Sequence, residues 1–294
     1  MTGGDLITGD GRLEYNGVLL GDDITTFCTT ITGWDDLCDV STASADLAMY
    51  HGGRVGRYYA RPRTITWTGV VNSATDTDFP TTIAALRAGF GVNRAETQIP
   101  IYIRTHDTTL QCYGSVTRRS IPNDRIFGCA RIADLSVQFY CPDPRRYSLT
   151  STTLVTDFPA LTEDGLDYPL VYPLDYGAAA ATGSASFSTS GDAPVPVVYT
   201  FTGPCVNPKL TNSTTGAHVA FSLTLVSGDK LVLDTAAGTA VLNGTADRLY
   251  TRTVDSSPML LLELEPGVNS LYATGDSWSS GATLTIAAAD AAYF

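Results

Sequence analysis

A proline–aspartate–proline step at residues 142–144 interrupts an otherwise regular stretch of the chain. The residues ahead of it alternate between apolar and polar, which is the period-two pattern of a strand with one buried face. The apolar members of this strand are Ala133, Leu135, Val137, Phe139 and Cys141. Each proline removes a backbone donor and keeps the residue before it out of helical geometry. We therefore expect the strand to end here, with one domain at residues 1–146 and a second at 147–294.

Net charge differs sharply between the two parts of the chain. Residues 1–150 contain 14 Lys and Arg against 16 Asp and Glu, whereas residues 151–294 contain 4 against 14. An acidic surface repels phosphate, so the second part is not expected to bind nucleic acid. The sequence has no apolar run of about 18 residues and no basic, apolar leader at its start, so we expect neither membrane insertion nor secretion.

The first part reads as a small α+β domain. Residues 1–60 predict short strands and a long loop, and the alternation around Ile65 and Trp67 predicts a strand. Residues 75–91 predict a helix, with Asp76 or Asp78 as its N-cap and Pro80 in its first turn. Its apolar stripe consists of Ile83, Leu86 and Phe90. Strands at residues 99–104 and 109–117 are expected to form a hairpin through His106 and Asp107.

The second part has no helical period and reads as an antiparallel β-sandwich. Short alternating stretches predict strands over residues 219–225, 231–233 and 284–286, with the first two in a meander. Gly, Asn and Ser clusters predict turns at residues 227–229, 237–238, 243–244, 267–269 and 279–281. The expected fold class is therefore mainly β: an α+β domain, built as a sandwich or barrel with one helix, followed by an antiparallel sandwich.

No combination of side chains in the sequence predicts an active site. His51, His106 and His218 each lie next to turn-forming residues, which favours surface positions over catalysis or metal binding. The Asp76-Thr-Asp78 triplet lacks the glycine and the glutamate of a calcium loop, so a helix cap explains it better. We expect no catalytic residues, no cofactor-binding residues and no metal ligands, and hence no enzyme and no cofactor.

Six cysteines are too few for a disulfide-stabilised fold, and no pair has the spacing of a zinc site. We expect most of them to be buried thiols of a protein that folds in a reducing cytoplasm, and a single bridge among them is left open. They are Cys28, Cys38, Cys112, Cys129, Cys141 and Cys205.

A basic cluster interleaved with tyrosines leads into the first well-defined strand; its arginines are Arg54, Arg57, Arg61 and Arg63. Such a pattern can bind nucleic acid. Because the surrounding domain has no positive excess, we instead expect these arginines to contact carboxylates of a neighbouring subunit or of the acidic second domain.

Two aromatic features of the second part have alternative interpretations. Tyr168, Tyr172 and Tyr176 alternate with prolines that exclude a helix, so they form either an aromatic docking strip or a linker that covers a sheet edge. Trp278, beside Asp276 and Ser277, either caps the sandwich core or provides a platform for a sugar.

Three stretches resemble a known family. The run FYCPDPRRYS at residues 139–148 is similar to the domain junction of distal tail proteins from long-tailed siphophages. The run GLDYPLVYPLDYG at residues 165–177 resembles the start of the second domain in tail components of actinobacterial phages. Residues 207–244, with Glu265-Pro-Gly-Val-Asn269 after them, resemble the galectin-like sandwich of the same proteins. The resemblance covers most of the chain after residue 50.

This resemblance implies a structural virion protein at the tail tip, assembled in the host cytoplasm. The first domain would form a homo-hexameric ring that closes the tail tube, and the galectin-like domain would carry adhesion components. Implied partners are the tail tube protein, the tape measure protein, the tail tip hub and the receptor-binding proteins. Genome DNA would pass through the lumen without specific binding. The main alternative is a minor tail protein that binds host glycan through the galectin-like domain; a cell-wall hydrolase is disfavoured because paired carboxylates and metal ligands are missing from the sequence.

Overall fold

A computed structural model describes residues 3–47, 49–72, 78–93, 97–122, 132–159 and 183–293. Within these ranges the chain forms two compact units. Unit 1 contains the described residues of 1–149 and 292–294, and unit 2 contains those of 150–291. Because the residues after 291 rejoin unit 1, the polypeptide passes between the two units twice.

Unit 1 contains antiparallel strands and one helix. Its elements are β1 Leu13–Tyr15, β2 Val18–Leu20, β3 Thr26–Thr32, β4 Val40–Asp46, β5 Gly53–Ala60, β6 Arg63–Asn72, α1 Asp78–Gly89, β7 Ile99–Thr105, β8 Thr108–Ser120, β9 Ile132–Cys141 and the start of β10 Arg146–Asp157. One row of strands runs β2–β1–β7–β8, and a second runs β3–β6–β9–β8. Strand β10 begins beside β8, where Tyr147 pairs with Gln111, and continues into unit 2.

The core of unit 1 lies between these strands and α1. Ile65, Trp67 and Val71 on β6 are fully buried, as the alternating pattern predicts. The helix buries Ile83 and Leu86, and Phe90 directly after it stacks on Tyr15 at 5.8 Å between ring centroids. Burial of these large side chains is the main stabilising contribution to a domain of this size.

The β7–β8 hairpin confirms the predicted turn. Thr105 pairs with Thr108, which leaves His106 and Asp107 as a two-residue loop. Both have positive φ, 52° and 61°. Such a loop is a type I′ turn, whose twist matches that of the flanking strands.

Unit 2 is a β-sandwich of short antiparallel strands. Its elements, after the end of β10, are β11 Ser184–Thr189, β12 Val197–Thr202, β13 Cys205–Val206, β14 Lys209–Asn212, β15 His218–Ala220, β16 Thr224–Leu225, β17 Lys230–Asp234, β18 Thr239–Leu242, β19 Ala246–Asp247, β20 Gly267–Thr274, β21 Ser277–Trp278 and β22 Thr283–Ala292, with 3-10 helices at Leu249–Thr251 and Met259–Leu262. The sheets run β19–β18–β17–β12–β22, β11–β20–β14–β15 and β16–β13–β21.

The mainly β fold with a helix in its first part is confirmed. Of the sandwich and the barrel expected for the first part, the barrel is not formed by the described strands of unit 1, which form open sheets. Two local predictions are wrong. Residues 219–225 are not one strand of a meander, because β15 pairs with β14 whereas β16 pairs with β13. Residues 267–269 are not a turn either, since they begin β20 and pair with β11.

Candidate functional site

The most exposed regular element of unit 1 is the hairpin of β4 and β5, which we call the arm (residues 40–60). Its strands pair only with each other among the described strands, from Val40 opposite Ala60 to Asp46 opposite Gly53. Every residue of β5 is exposed. Residues 1–60 were expected to hold short strands and a long loop, and the arm is a longer, more regular element than that expectation.

Local sequence explains why the arm can be regular. The pairing register shifts between Thr42 and Ser44, which places a bulge in β4. At this bulge the backbone of Gly56 approaches Ala43 so closely that a Cβ at position 56 would lie 2.2 Å from the Ala43 carbonyl oxygen. Only glycine is compatible with such an approach, and a bulge of this kind increases the twist of the hairpin.

The arm combines cationic and aromatic side chains. The side chains of Tyr58 and Tyr59 are 59% and 60% exposed. Arg54 and Arg57 lie on the same strand and are exposed. Neither arginine forms an ion pair with any residue in the described ranges. The arm is therefore a surface of unmatched charge and exposed aromatic area.

Arg63 does not belong to this surface, which corrects the prediction of a four-arginine contact cluster. Its side chain is only 2% exposed. The guanidinium donates to five backbone carbonyl oxygens, those of Gly33, Trp34, Asp36, Pro144 and Tyr293, at 2.5 to 3.0 Å. Burial lowers the pKa of Arg63 from its ordinary value. Arg63 is thus a structural residue that holds three separate segments of unit 1 together.

The proline–aspartate–proline turn is organised by Asp143. Its carboxylate accepts hydrogen bonds from Nε and Nη2 of Arg145 and from the hydroxyl of Tyr147. The next residue, Arg146, is buried, donates to Asp35 at 2.7 Å and lies over the ring of Trp34. The predicted break in the sheet is confirmed, since β9 ends at Cys141 and β10 begins at Arg146.

In unit 2 a groove of about 450 Å³ lies beside Trp278; we call it the Trp278 groove. Its floor is the three-stranded sheet in which β13 pairs with β16 and β21. The indole Nε1 of Trp278 donates to the carbonyl oxygen of Pro159 at 2.7 Å, and the ring packs against Phe158. Trp278 therefore packs at the edge of the sandwich core and also lines a surface groove, and its interpretation as a platform for a sugar stays a prediction.

The remaining predicted candidates are dispersed. His51 and His106 are exposed, whereas His218 lies on β15 with its Nε2 3.6 Å from a carboxylate oxygen of Asp255. Asp78 is the first residue of α1, and Asp76 is outside the described residues. Tyr168, Tyr172 and Tyr176 are outside them as well.

Five cysteines are described, and all are free thiols, four of them buried. The sulfur atoms of Cys112 and Cys141 lie 3.5 Å apart in the core of unit 1. Cys129 is not among the described residues. Throughout the described ranges, no His, Cys, Asp and Glu side chains form a group of three that could hold a metal ion. Nor does any described helix have the length and apolar character that a membrane-spanning helix needs.

Comparison with known proteins identifies the family of unit 2. Residues 190–286 match the model of the siphovirus-type tail component, C-terminal domain, of the SPP1 Dit family. No curated protein matches the chain.

Solved structures show the same fold over nearly the whole chain. The Dit protein of phage SPP1, described as a paradigm of the hub adsorption apparatus in phages that infect Gram-positive bacteria, is 14% identical, with a TM-score of 0.67 over 95% of this chain and 98% of that one. The baseplate of phage p2 in its activated conformation matches in two structures, with calcium and with strontium. The calcium structure has a TM-score of 0.53 at 8% identity and covers 92% of this chain and 92% of its own. The strontium structure has a TM-score of 0.52 at 8% identity and covers 96% of this chain and 98% of its own. Residues 190–286 therefore form a siphovirus-type tail component domain, and the chain has the fold of Dit proteins, as its sequence predicts.

Proposed function

We propose that this Dit-like tail protein is the distal tail protein of a long, non-contractile phage tail. Six copies form a ring at the end of the tail tube, and the ring joins the tube to the tip and its adhesion apparatus. The family match of residues 190–286 and the Dit fold support a structural role in the virion tail tip. The exposed arm is the observation that supports assembly of unit 1 with further copies of itself.

An isolated two-stranded hairpin has little stability of its own in water. The arm also leaves both of its outer edges and its aromatic side chains uncovered within the described structure. Proteins usually cover such edges, because unpaired strand groups bind other chains readily. A neighbouring copy that packs against the arm would cover these edges, and two different complementary patches on each subunit close into a ring when their rotation allows it.

The two domains have separate roles in this proposal. Residues 1–146 form the ring and contact the tail tube and tape measure proteins. Residues 147–294 form an outward-facing sandwich that carries the tip hub and the receptor-binding proteins. Genome DNA passes through the lumen without specific binding, which requires that Arg54 and Arg57 point toward a neighbouring subunit and away from the lumen. No catalytic step is part of this role.

Assembly can be tested with the purified full-length chain by light scattering and negative-stain microscopy. We expect rings of six copies. The double variant Arg54→Glu, Arg57→Glu should remain folded and lose the ring, because like charges would then face the carboxylates of the neighbouring copy. Arg118→Glu is the matched control, since Arg118 is an exposed arginine on β8 away from the arm.

Position in the virion needs a second measurement. Antibody labelling of intact particles should place the protein at the end of the tail. A protein that stays monomeric at all concentrations, or labelling that is absent from the tail end, would contradict the proposed ring. Ring formation that survives the double variant would reject the arm as the contact.

A second proposed role is binding of host glycan by residues 147–294. The Trp278 groove supports this role, because it places a partly exposed tryptophan at the surface of unit 2.

A further inference from the structure

A cavity of about 240 Å³ lies around Lys209 in unit 2; we call it the Lys209 cavity. Lys209 pairs with Ala220 on one side and with Thr274 on the other, so these three side chains form one row across adjacent strands. The next residue along β14, Leu210, faces the opposite way and is buried, whereas Lys209 is half-buried. The row therefore lies on the outward face of the sheet, and the small side chain of Ala220 leaves room beside Lys209.

Asn207 and Asp276 line one end of the Lys209 cavity as a bonded pair. Nδ2 of Asn207 donates to Oδ2 of Asp276 at 2.6 Å. Asn207 has φ of 51°, a left-handed conformation that asparagine tolerates better than most residues. Their bond uses one oxygen of the carboxylate, while Oδ1 of Asp276 and Oδ1 of Asn207 accept no hydrogen bond from a described residue. The pair is thus held in place and keeps two acceptor oxygens for a ligand.

The donor groups of the cavity are equally available. The ammonium of Lys209 forms no hydrogen bond and no ion pair within the ranges that the structure describes. The hydroxyl groups of Ser222 and Thr274 also have no partner among the described residues, whereas that of Thr253 is bonded to Ser256 at 3.0 Å. An ammonium and a carboxylate that line one cavity without pairing leave space for a ligand that donates to one and accepts from the other.

Charge in and around the cavity favours a neutral ligand. Residues 151–294 contain 4 Lys and Arg against 14 Asp and Glu, so this part of the chain repels an anionic polymer. Lys209 in turn disfavours a cation. A pair of adjacent hydroxyl groups fits, because one can donate to the Asp276 carboxylate while the other accepts from the Lys209 ammonium. The volume lies just below the range of drug-sized ligands, about 300 to 1,000 Å³, so it suits a single sugar ring.

We propose that the Lys209 cavity binds one sugar residue of a neutral polysaccharide, with adjacent sugar hydroxyl groups bonded to Asp276 and Lys209 and a further one bonded to Thr274. This inference rests on the second proposed role, glycan binding, and not on ring assembly. It places the sugar on the outward face of the sheet of β15, β14 and β20, separate from the Trp278 groove, whose floor is formed by β13, β16 and β21.

Acylation of lysine amines gives a direct test, because the chain has only two lysines, Lys209 and Lys230. Lys230 is exposed on β17 and serves as the internal reference. The native full-length protein is treated with an N-hydroxysuccinimide ester, and mass spectrometry of its peptides measures both sites. The probes are neutral oligosaccharides built from glucose, galactose, mannose or arabinose, with dextran sulfate as an anionic comparison.

We expect at least one neutral oligosaccharide to protect Lys209. At a probe concentration of about twice its Kd, acylation of Lys209 should slow by about 3-fold, because the bound fraction does not react. Acylation of Lys230 should not change, and dextran sulfate should slow neither lysine.

Variants identify the site by calorimetric titration with the protecting oligosaccharide. Asp276→Asn keeps an oxygen for Asn207 and should weaken binding by at least about 10-fold, because the sugar loses a charged acceptor. Lys209→Met should weaken it by a similar factor and leave the fold intact, because this ammonium has no partner to lose among the described residues. Thr274→Val should weaken binding by about 3-fold through one lost hydrogen bond. Lys230→Met is the matched control and should bind normally.

Several results would overturn the sugar site. These are a Lys209 that the ester cannot reach in the free protein, the absence of protection by every neutral probe, and binding that both Asp276→Asn and Lys209→Met leave unchanged. Protection by dextran sulfate would reject the neutral class of ligand. A probe that binds in the calorimeter without protecting Lys209 would reject this cavity and support a glycan site elsewhere.

Ring formation is measured on the same samples by light scattering. Rings without protection of Lys209 would reject the sugar site alone, and protection without rings would reject the assembly proposal alone.

Discussion

Arg63 donates a hydrogen bond from Nε to the carbonyl oxygen of Pro144 at 2.9 Å. This bond links the start of β6 to the turn between β9 and β10. The same guanidinium satisfies carbonyl groups of Trp34 and Tyr293. Most buried arginines in proteins pair with a carboxylate. Arg63 instead donates its hydrogen bonds to backbone carbonyl oxygens.

Replacing Arg63 should therefore destabilise unit 1 strongly. We expect Arg63→Met to lower the free energy of unfolding by about 3 kcal/mol or more, because several carbonyl oxygens lose a charged donor. Arg63→Lys should recover only part of this, since an ammonium group cannot reproduce the planar fork. Urea unfolding checks the values, and the exposed neighbour Arg61→Ala should change stability by no more than about 0.5 kcal/mol. An Arg63→Met protein as stable as the wild type would show that these hydrogen bonds contribute nothing net.

The β7–β8 turn gives a prediction about backbone conformation. His106 has φ of 52°, which costs a β-branched residue about 1 to 2 kcal/mol. His106→Val should destabilise the protein by about that amount, whereas His106→Asn should be neutral or stabilising, since asparagine tolerates this region. Denaturation midpoints measure both variants. His51→Val, at an exposed turn without a positive φ, is the control, and an equal loss there would argue against a conformational cause.

Asn269 should be essential for unit 2. It is 0% exposed, and its amide donates to the carbonyl oxygen of Glu265 at 2.7 Å while its carbonyl accepts from the Glu265 amide. Asn269→Ala should cost about 2 to 3 kcal/mol by leaving these part-buried backbone groups of Glu265 unpaired. Thermal unfolding followed by calorimetry measures the loss, and Val268→Ala, at a side chain that is 64% exposed, should have little effect. Equal melting temperatures for the two variants would refute this role.

Ionisation of Cys205 should lower the free energy of unfolding as the pH rises in the alkaline range. Burial and Asp276 raise its pKa from 9.0 to about 11. Because the folded thiol holds its proton more tightly than the unfolded one, its contribution is complete below pH 9 and is lost as the pH rises toward 11. The loss should reach about 2 to 3 kcal/mol. Urea unfolding from pH 8 to 11 should show a smaller decline in Cys205→Ala than in the wild type; identical declines would refute the assignment.

Much of the fold could be predicted from the alternation of apolar and polar residues, because a strand with one buried face has this pattern in its sequence. Strand β6, strand β9 and the apolar stripe of α1 are examples. The burial of Arg63 carried the same signal: it lies two residues before Ile65 and four before Trp67, hence on the inward face of β6. The charge of Arg63 favours a prediction of surface exposure, but its position in the alternating pattern of β6 determines that it is buried.

Other features could not be read from local patterns. Gly267 and Asn269 are typical turn residues, but Asn269 replaces turn hydrogen bonds with its own side chain and the strand starts early. Val219 and Leu225 alternate as in one strand, and only pairing with distant strands separates them into two sheets. The arm lacks a buried face altogether, so no apolar alternation marks it. The Trp278 groove likewise depends on three two-residue strands that come together from distant positions in the sequence.

Since the residues after 291 return to unit 1, unit 2 is an insertion with two attachment points. One proteolytic cut at the first crossing would leave residues 150–294 attached to unit 1 only through noncovalent contacts of residues 292–294, among them the hydrogen bond from Arg63 to the carbonyl oxygen of Tyr293. Genetic exchange of residues 150–291 for the equivalent segment of another tail protein would leave both partners of the hydrogen bond between Arg63 and Tyr293 unchanged. The architecture thus permits residues 150–291 to be exchanged as one cassette while the sequence of unit 1 stays unaltered.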